Sequence, residues 1–554
     1  MTNKKKLLFF LIIILLAGFF RFLGLSWDQG QMLHPDERFL MMVTNNLDWP
    51  QNWSSFFNTD LSPLNPHNRG YDFFVYGTLP IFLLKKLANI FGISGYQDLL
   101  LLGRSLSATF DLASVVLVIL IGQKLFPKKS IGLWAGLFYA ISVLPMQLAH
   151  FYTTDVFLNF FLLVAFYWLV LFSQKGKVGP LILSAVFWGM AAACKITALF
   201  FGPVLAAVVF FQNKKRFLSK LIIALLAFFI TWRLFQPYAF TGLFTPNQKF
   251  LANLASLKNF SRPDSLYPPS VQWLNTRPIL YSLKNLTLWG LGIPLFVIII
   301  TSLFFFPLYL KKKKIFSQEI IYYCLYFWPL ALFFYQACQF VKPMRYLLPI
   351  YPFWSIIGAW GIRKIINNNG QVGSKIVWVL AGLAFIWPLS FISIYLRPHS
   401  RLQASSWIYD HISPGSTLSC EHWDDCLPLS VESKSWQSQP YQIETLSLYD
   451  PESPEKWQKI NHQLEKIDYL ILSSNRLWGS IPKNPKRYPK TTKFYQDLFR
   501  DKLQFKKVAE FTSLPCFPPG LDWFCFNDQG ADESFTVYDH PQVIIYQKAN
   551  HSSQ

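Results

Sequence analysis

The sequence predicts an α-helical polytopic membrane body of about eleven spans, followed by a small extracytoplasmic α/β domain. Three observations carry this reading. Of 554 residues, 52% are hydrophobic and 18% aromatic, and only 15% are charged, against about 25% in ordinary soluble domains. Of the 30 Asp and Glu residues, 11 lie in 1–396 and 19 in the last 158 positions. The net charge of +21 is carried by short basic clusters between long apolar runs, the pattern of cytoplasmic loops and not of a nucleic-acid-binding face.

A crossing takes about 20 apolar residues, and the segments that qualify are approximately 7–25, 100–123, 131–149, 155–173, 180–194, 197–211, 218–236, 286–310, 319–340, 345–361 and 374–396. The first follows Lys4, Lys5 and Lys6 and runs into Arg21 without a small-residue cleavage pattern, so it reads as a retained anchor. With the amino terminus inside, the basic clusters share the cytoplasmic side. They are Lys124, Lys128 and Lys129; Lys175 and Lys177; Lys214 to Arg216; Lys311 to Lys314; and Arg363, Lys364 and Lys375. Segment 73–92, with Lys85 and Lys86 in its middle, breaks this order as a full span and is expected as a juxtamembrane or re-entrant helix on the outer face.

Three outer regions result: loops 26–99 and 237–285, and the domain 397–554. The last mixes β-type runs at 469–472 and 543–546 with a helical stretch at 455–467. It also carries two close cysteine pairs, Cys420 with Cys426 and Cys516 with Cys525. Disulfides in an oxidising compartment are one use of these, although spacing does not fix the pairing. Zinc is less favoured, because no His accompanies them at ligand spacing.

Candidate chemistry lies at the outer face. Asp36 and Glu37, in Met32-Leu33-His34-Pro35-Asp36-Glu37-Arg38, follow the first span; adjacent carboxylates there suit general-base work on an acceptor, cation binding, or both. A solvated acidic turn is the alternative. Asp155 stands alone between Asp111 and Asp264 and is read either as a group facing a polar cavity or as a helix N-cap, two compatible roles. Lys85, Lys86, Lys195, Lys342 and Arg345 are outer cations suited to a lipid phosphate, with snorkelling to bulk headgroups as the bland alternative. Arg104 and Asp111, two turns apart on one helix face, are expected as a structural pair, unless Arg104 reaches the outer surface near Lys85. P-loop, metalloprotease, Gly-x-Ser-x-Gly and dinucleotide fingerprints are absent.

Residues 1–396 resemble the GT-C glycosyltransferases, in particular the protein O-mannosyltransferases and aminoarabinose transferases of the family-39 type. The resemblance rests on Asp36-Glu37 after the first span, on Tyr76-Gly77-Thr78-Leu79-Pro80 leading to Lys85, and on Arg104, Asp155, Lys195 and Arg345-Tyr346-Leu347-Leu348-Pro349 in that order. It implies a GT-C fold and transfer of mannose or another sugar from a polyprenyl-phosphate donor to a protein, lipid or glycan hydroxyl, with inversion. It implies Asp36 as base, with Glu37 as a supporting carboxylate and Asp155 as an acceptor- or loop-positioning group. Lys85, Arg104, Lys195, Arg345 and Tyr346 are implied around the donor phosphate. No metal is required by this scheme, although related oligosaccharyltransferases use a divalent cation. The rival readings are a lipid or solute transporter or flippase, which calls for broken helices in two related halves, and a non-catalytic envelope-assembly subunit. Carboxylates gathered at one outer face, without symmetry between halves, favour the enzyme.

Overall fold

The computed structural model describes residues 2–126, 128, 130–264, 267–313, 318–431, 434, 435, 437, 438 and 440–549, without the side chains of 367–369. Lys129 and Lys314 of the basic clusters lie outside the described residues. Each of the eleven apolar segments is helical. By length and composition, six helices among the described residues suffice to cross a membrane, or seven if Ser130–Ala140 and Val143–Ala149, bent by 62°, form one span.

The lower number has visible causes. Helix Asn3–Phe22 is bracketed by Lys4, Lys5, Lys6 and Arg21. Helices Val178–Ala192 and Ile196–Gln212 are too short for a full crossing. The last two expected spans form one helical run, Tyr351–Ala384, broken at Gly370 with φ 52° and ψ −126°, a conformation open to glycine. The bend after Ala140 falls just before Pro145, whose ring suits the first turn of a new helix.

Helix Thr154–Lys175 is the best-buried of the long spans and packs on both Tyr96–Leu125 and Val178–Ala192. Its first turn, with Asp155, is therefore held at the centre of the bundle's end. Loop 26–99 contains the helices Pro35–Asn46, Trp53–Phe57 and Thr78–Phe91. Thr78–Phe91, 14 residues long, is too short to span and takes the place expected of the juxtamembrane segment.

After Leu396 the chain forms an α/β unit. Its strands are β1 (Thr417–Glu421), β2 (Gln442–Leu446), β3 (Tyr469–Leu472), β4 (Phe505–Phe511), β5 (Cys516–Phe517), β6 (Phe524–Cys525) and β7 (Val543–Lys548). Five form a sheet in the order β2-β1-β3-β7-β4, with β1 parallel to β2 and β3, and β7 antiparallel to β3 and β4. β5 and β6 make a separate hairpin. Disulfides join Cys420 to Cys426 and Cys516 to Cys525.

The domain docks on the helical body through a buried polar knot. His540 lies between Asp528 (2.8 Å) and Asp539 (2.5 Å). The other Asp539 oxygen accepts from Gln147 (2.9 Å) and Tyr395 (3.0 Å) of the bundle. Arg38 of the first outer loop adds an ion pair to Asp425 at 2.7 Å.

Candidate active site

The site is built at the start of helix Pro35–Asn46. Pro35 occupies its first position, where a missing N–H costs nothing, and His34 caps it by accepting from the Asp36 backbone N–H at 3.2 Å. His34 thus has a definite role beside the acidic pair. Burial, with Arg345 nearby, lowers its pKa to about 3, so its ring is neutral and able to accept.

Successive residues on a helix point about 100° apart, so Asp36 and Glu37 diverge. Asp36 pairs with Arg345 while keeping 21% of its side chain exposed. Burial pushes its carboxyl up, but Arg345, His34, a hydrogen bond from Tyr76 and Lys195 outweigh that and bring it down to about 2. Glu37 is fully buried. It holds Arg104 through two hydrogen bonds of 3.0 and 2.7 Å and accepts the Tyr152 N–H at 2.7 Å.

Arg104 has every donor engaged. Besides Glu37 it binds both oxygens of Asp28 at 2.8 Å and the Leu25 carbonyl at 2.7 Å, with Trp27 against its face at 4.5 Å. The guanidinium expected near the donor phosphate is instead a buried clamp between the first outer loop and helix Tyr96–Leu125. Nor is it paired with Asp111, which binds Arg21 at 2.7 Å and Tyr139 at 2.5 Å. Glu37 accordingly supports the framework and not the reacting face.

A second pair sits beside the first. Lys195 donates to Asp155 at 2.7 Å and stacks its ammonium over Tyr346 at 4.3 Å. The Tyr76-Gly77-Thr78 stretch brings this pair to Asp36. Gly77 N–H donates to the Cys194 carbonyl at 3.0 Å and Leu79 N–H to Ala193 at 3.1 Å. The approach is so close that a Cβ on Gly77 would lie 2.0 Å from the Ala193 oxygen. Glycine at 77 is therefore what lets the Lys195 segment lie against Tyr76.

Asp155, Lys195 and Tyr346 line a cavity of about 210 Å³ together with Ser261, Gln336 and Gln339 and the apolar Leu158, Leu162 and Trp328. Arg345 Nε is buried and, among the described residues, has no hydrogen-bond partner. Lys85 is elsewhere. It donates to the Asn45 carbonyl at 3.3 Å, about 14 Å from Asp36 along the helix axis at 1.5 Å per residue, and Lys86 lies over Trp49 at 5.3 Å. Lys342 is spent on the Gln339 and Phe340 carbonyls.

Several contributors stand outside the residues expected at the site. Asp28 completes the Arg104 clamp, and Tyr76 donates to Asp36. From the second outer loop and the C-terminal domain, Tyr267 and Tyr538 come close enough for their hydroxyls to feel the Asp36 and Arg345 charges. Arg476 pairs with Glu533 at 2.5 Å and lies 5.8 Å from the Tyr538 ring. Among the described residues no group of three or more His, Cys, Asp or Glu side chains is arranged to hold a metal ion. Asp36 and Asp155 are each paired with a cation.

Residues 81–239 match the model of the dolichyl-phosphate-mannose-protein mannosyltransferase family. That segment contains Asp155 and Lys195 but not Asp36 or Arg345. The apo oligosaccharyltransferase of Archaeoglobus fulgidus superposes with a TM-score of 0.54 at 13% identity, covering 91% of this chain and 73% of that one. ArnT from Cupriavidus metallidurans, solved bound to undecaprenyl phosphate, gives 0.47 at 12% identity with 100% of each chain covered. No curated protein matches the sequence. The fold is that of the GT-C class, and the match of residues 81–239 to this family indicates a glycosyltransferase whose helices include several long and apolar enough to cross a membrane.

Proposed function

We propose that the protein transfers a sugar, mannose or a related hexose or pentose, from a polyprenyl-phosphate donor to an acceptor hydroxyl on the extracytoplasmic face, with inversion. The observation that carries this reading is two neighbouring carboxylate-cation couples, Asp36 with Arg345 and Asp155 with Lys195, the second of which lines a cavity together with Leu158, Leu162 and Trp328. A prenyl chain fits the apolar walls. Its phosphate fits Lys195 and the unspent Arg345 donor, and charge-assisted bonds of this kind are the strong ones.

The resting Arg345–Asp36 pair then has a mechanistic sense. A carboxylate held near pKa 2 is a poor base. A donor phosphate competes for Arg345, and as the cation turns to it Asp36 is released and its basicity rises. Asp36 takes the acceptor hydroxyl proton as the acceptor oxygen bonds to the anomeric carbon. The bond from that carbon to the phosphate oxygen breaks on the opposite face, and polyprenyl phosphate departs. Lys195 and Arg345 meet the charge that grows on the leaving group. Asp155 positions Lys195, and Tyr76 orients Asp36. The acceptor enters between the first outer loop and the C-terminal domain, where Tyr267, Tyr538 and Arg476 lie. The amino terminus is cytoplasmic and the domain after Leu396 outside.

Incubating the purified full-length protein with a panel of labelled polyprenyl-phosphate sugars tests the reading. Consumption of at least one donor, lost together with donor binding in Lys195→Ala, is expected; no binding and no consumption across the panel overturns it.

A further inference from the structure

The basic clusters that fixed the topology do not remain separate loops. Lys124 ends helix Tyr96–Leu125 and Lys128 follows it, Lys311 to Lys313 follow helix Ile293–Leu310, and Arg363 and Lys364 lie within helix Tyr351–Ala384. All seven line one cavity of about 1040 Å³. Tyr309, Tyr322 and Trp360 complete its wall, aromatic side chains of the kind that settle at headgroup level. Within the wall only Lys313 has a carboxylate partner among the described residues, Glu319 at 3.1 Å. Lys364 rests over Phe305 and Trp360 at 5.5 and 5.6 Å, and the Arg363 Nε is buried with no hydrogen-bond partner among the described residues.

The cavity stands at the opposite membrane face from Asp36. Arg104 and Lys124 are 20 residues apart on one helix, about 30 Å at 1.5 Å per residue, close to the thickness of the hydrocarbon core. Positive loops on that face explain why the cations are there, but not why three segments gather theirs around one recess with an aromatic wall and a buried unpaired guanidinium donor. Basic pockets between membrane helices recognise phosphate headgroups.

We propose that this recess is a second binding site, for the phosphate headgroup of an anionic membrane phospholipid, separate from the donor site. The phosphate chemistry alone also fits a free phosphate ion; the aromatic wall at headgroup depth assigns it to the lipid. The test uses full-length protein in nanodiscs of phosphatidylcholine carrying a small fraction of labelled phosphatidylglycerol, with lipid contact read by fluorescence transfer. Lys124→Gln/Lys312→Gln/Arg363→Gln is compared with Lys175→Gln/Lys177→Gln/Lys215→Gln, which removes as many cations outside the recess. At about 1 kcal/mol for each basic residue near the surface, the recess variant should bind at least about tenfold more weakly, and the control variant should match wild type. Sugar transfer in detergent, far from the recess, reports that both variants are folded, and the single Arg363→Gln variant, expected to weaken binding alone, serves if the triple variant is not. Equal losses in recess and control variants overturn the proposal, as does no loss in either. Displacement of the label by inorganic phosphate as readily as by unlabelled phosphatidylglycerol also overturns it.

Discussion

Two neighbouring carboxylates end up with opposite fates, and the cause is the 100° turn between them on the helix. Asp36 keeps about a fifth of its side chain exposed beside Arg345; Glu37 is locked against Arg104 and a backbone N–H. Glu37→Gln is therefore expected to lower stability rather than chemistry. Partly breaking a buried ion pair costs up to about 3–5 kcal/mol, to be read as a fall in melting temperature of the detergent-solubilised protein. An unchanged melting temperature with transfer abolished would return Glu37 to the reaction. Asp36 makes a pH prediction whose sign follows from its partner. In the free protein its carboxyl stays ionised down to about pH 2, so kcat/KM should hold until the pH approaches that value. Once donor phosphate has drawn Arg345 away, the Asp36 pKa rises, and the acid limb of kcat should lie at higher pH than that of kcat/KM. Coincident limbs in the two profiles would argue against release of Asp36 by the donor.

At the scale of elements, the closest contact in the site is Gly77 against Ala193 and Cys194. Gly77→Ala should push the Lys195 segment off Tyr76 and weaken donor binding, because the added carbon has only 2.0 Å to the Ala193 oxygen. Gly179→Ala, in a helix with nothing within 4 Å of the new carbon, should leave binding unchanged. Donor affinities of the two variants in detergent decide this, and equal affinities would remove Gly77 from the account. These contacts also mark where sequence reading runs out. Apolar length placed the eleven helical segments, and the isolated positions of Asp36, Asp155, Lys195 and Arg345 located the outer site. Partner choice was not legible. Arg104 was as plausible a phosphate ligand as Arg345 until Asp28 and Leu25 filled its remaining donors. Asp111 went to Arg21 because facing helices, not spacing along one helix, bring side chains together. Lys85 was misread for a similar reason: a charge sign says nothing of which end of a neighbouring helix it meets. Tyr267, Tyr538 and Arg476 are ordinary residues in sequence, and only the docking of the C-terminal domain brings them near Asp36.

That docking is a property of the whole molecule, and it centres on His540. Burial disfavours its charge, but Asp528 and Asp539 on either side outweigh that and raise its pKa to about 10, from 6.5 in water. A raised folded-state pKa stabilises fully below the unfolded value and fades as pH rises through the folded one. Stability should therefore fall between about pH 6.5 and pH 10, visible as a declining melting temperature, and His540→Gln should start lower and flatten that slope. A slope unchanged in His540→Gln would place the titration elsewhere. The C-terminal domain is thus tied to the helical body through Asp539, which accepts from Gln147 and Tyr395. Asp36, paired with Arg345, is the proposed base in sugar transfer from a polyprenyl phosphate. The most direct measurement compares wild type and Asp36→Asn in transfer of labelled sugar from a donor that wild type consumes, with donor binding measured in parallel. The account predicts intact binding and a loss of transfer of about 10²–10⁴-fold, the range of a general base. Transfer by Asp36→Asn at the wild-type rate with binding intact would contradict it.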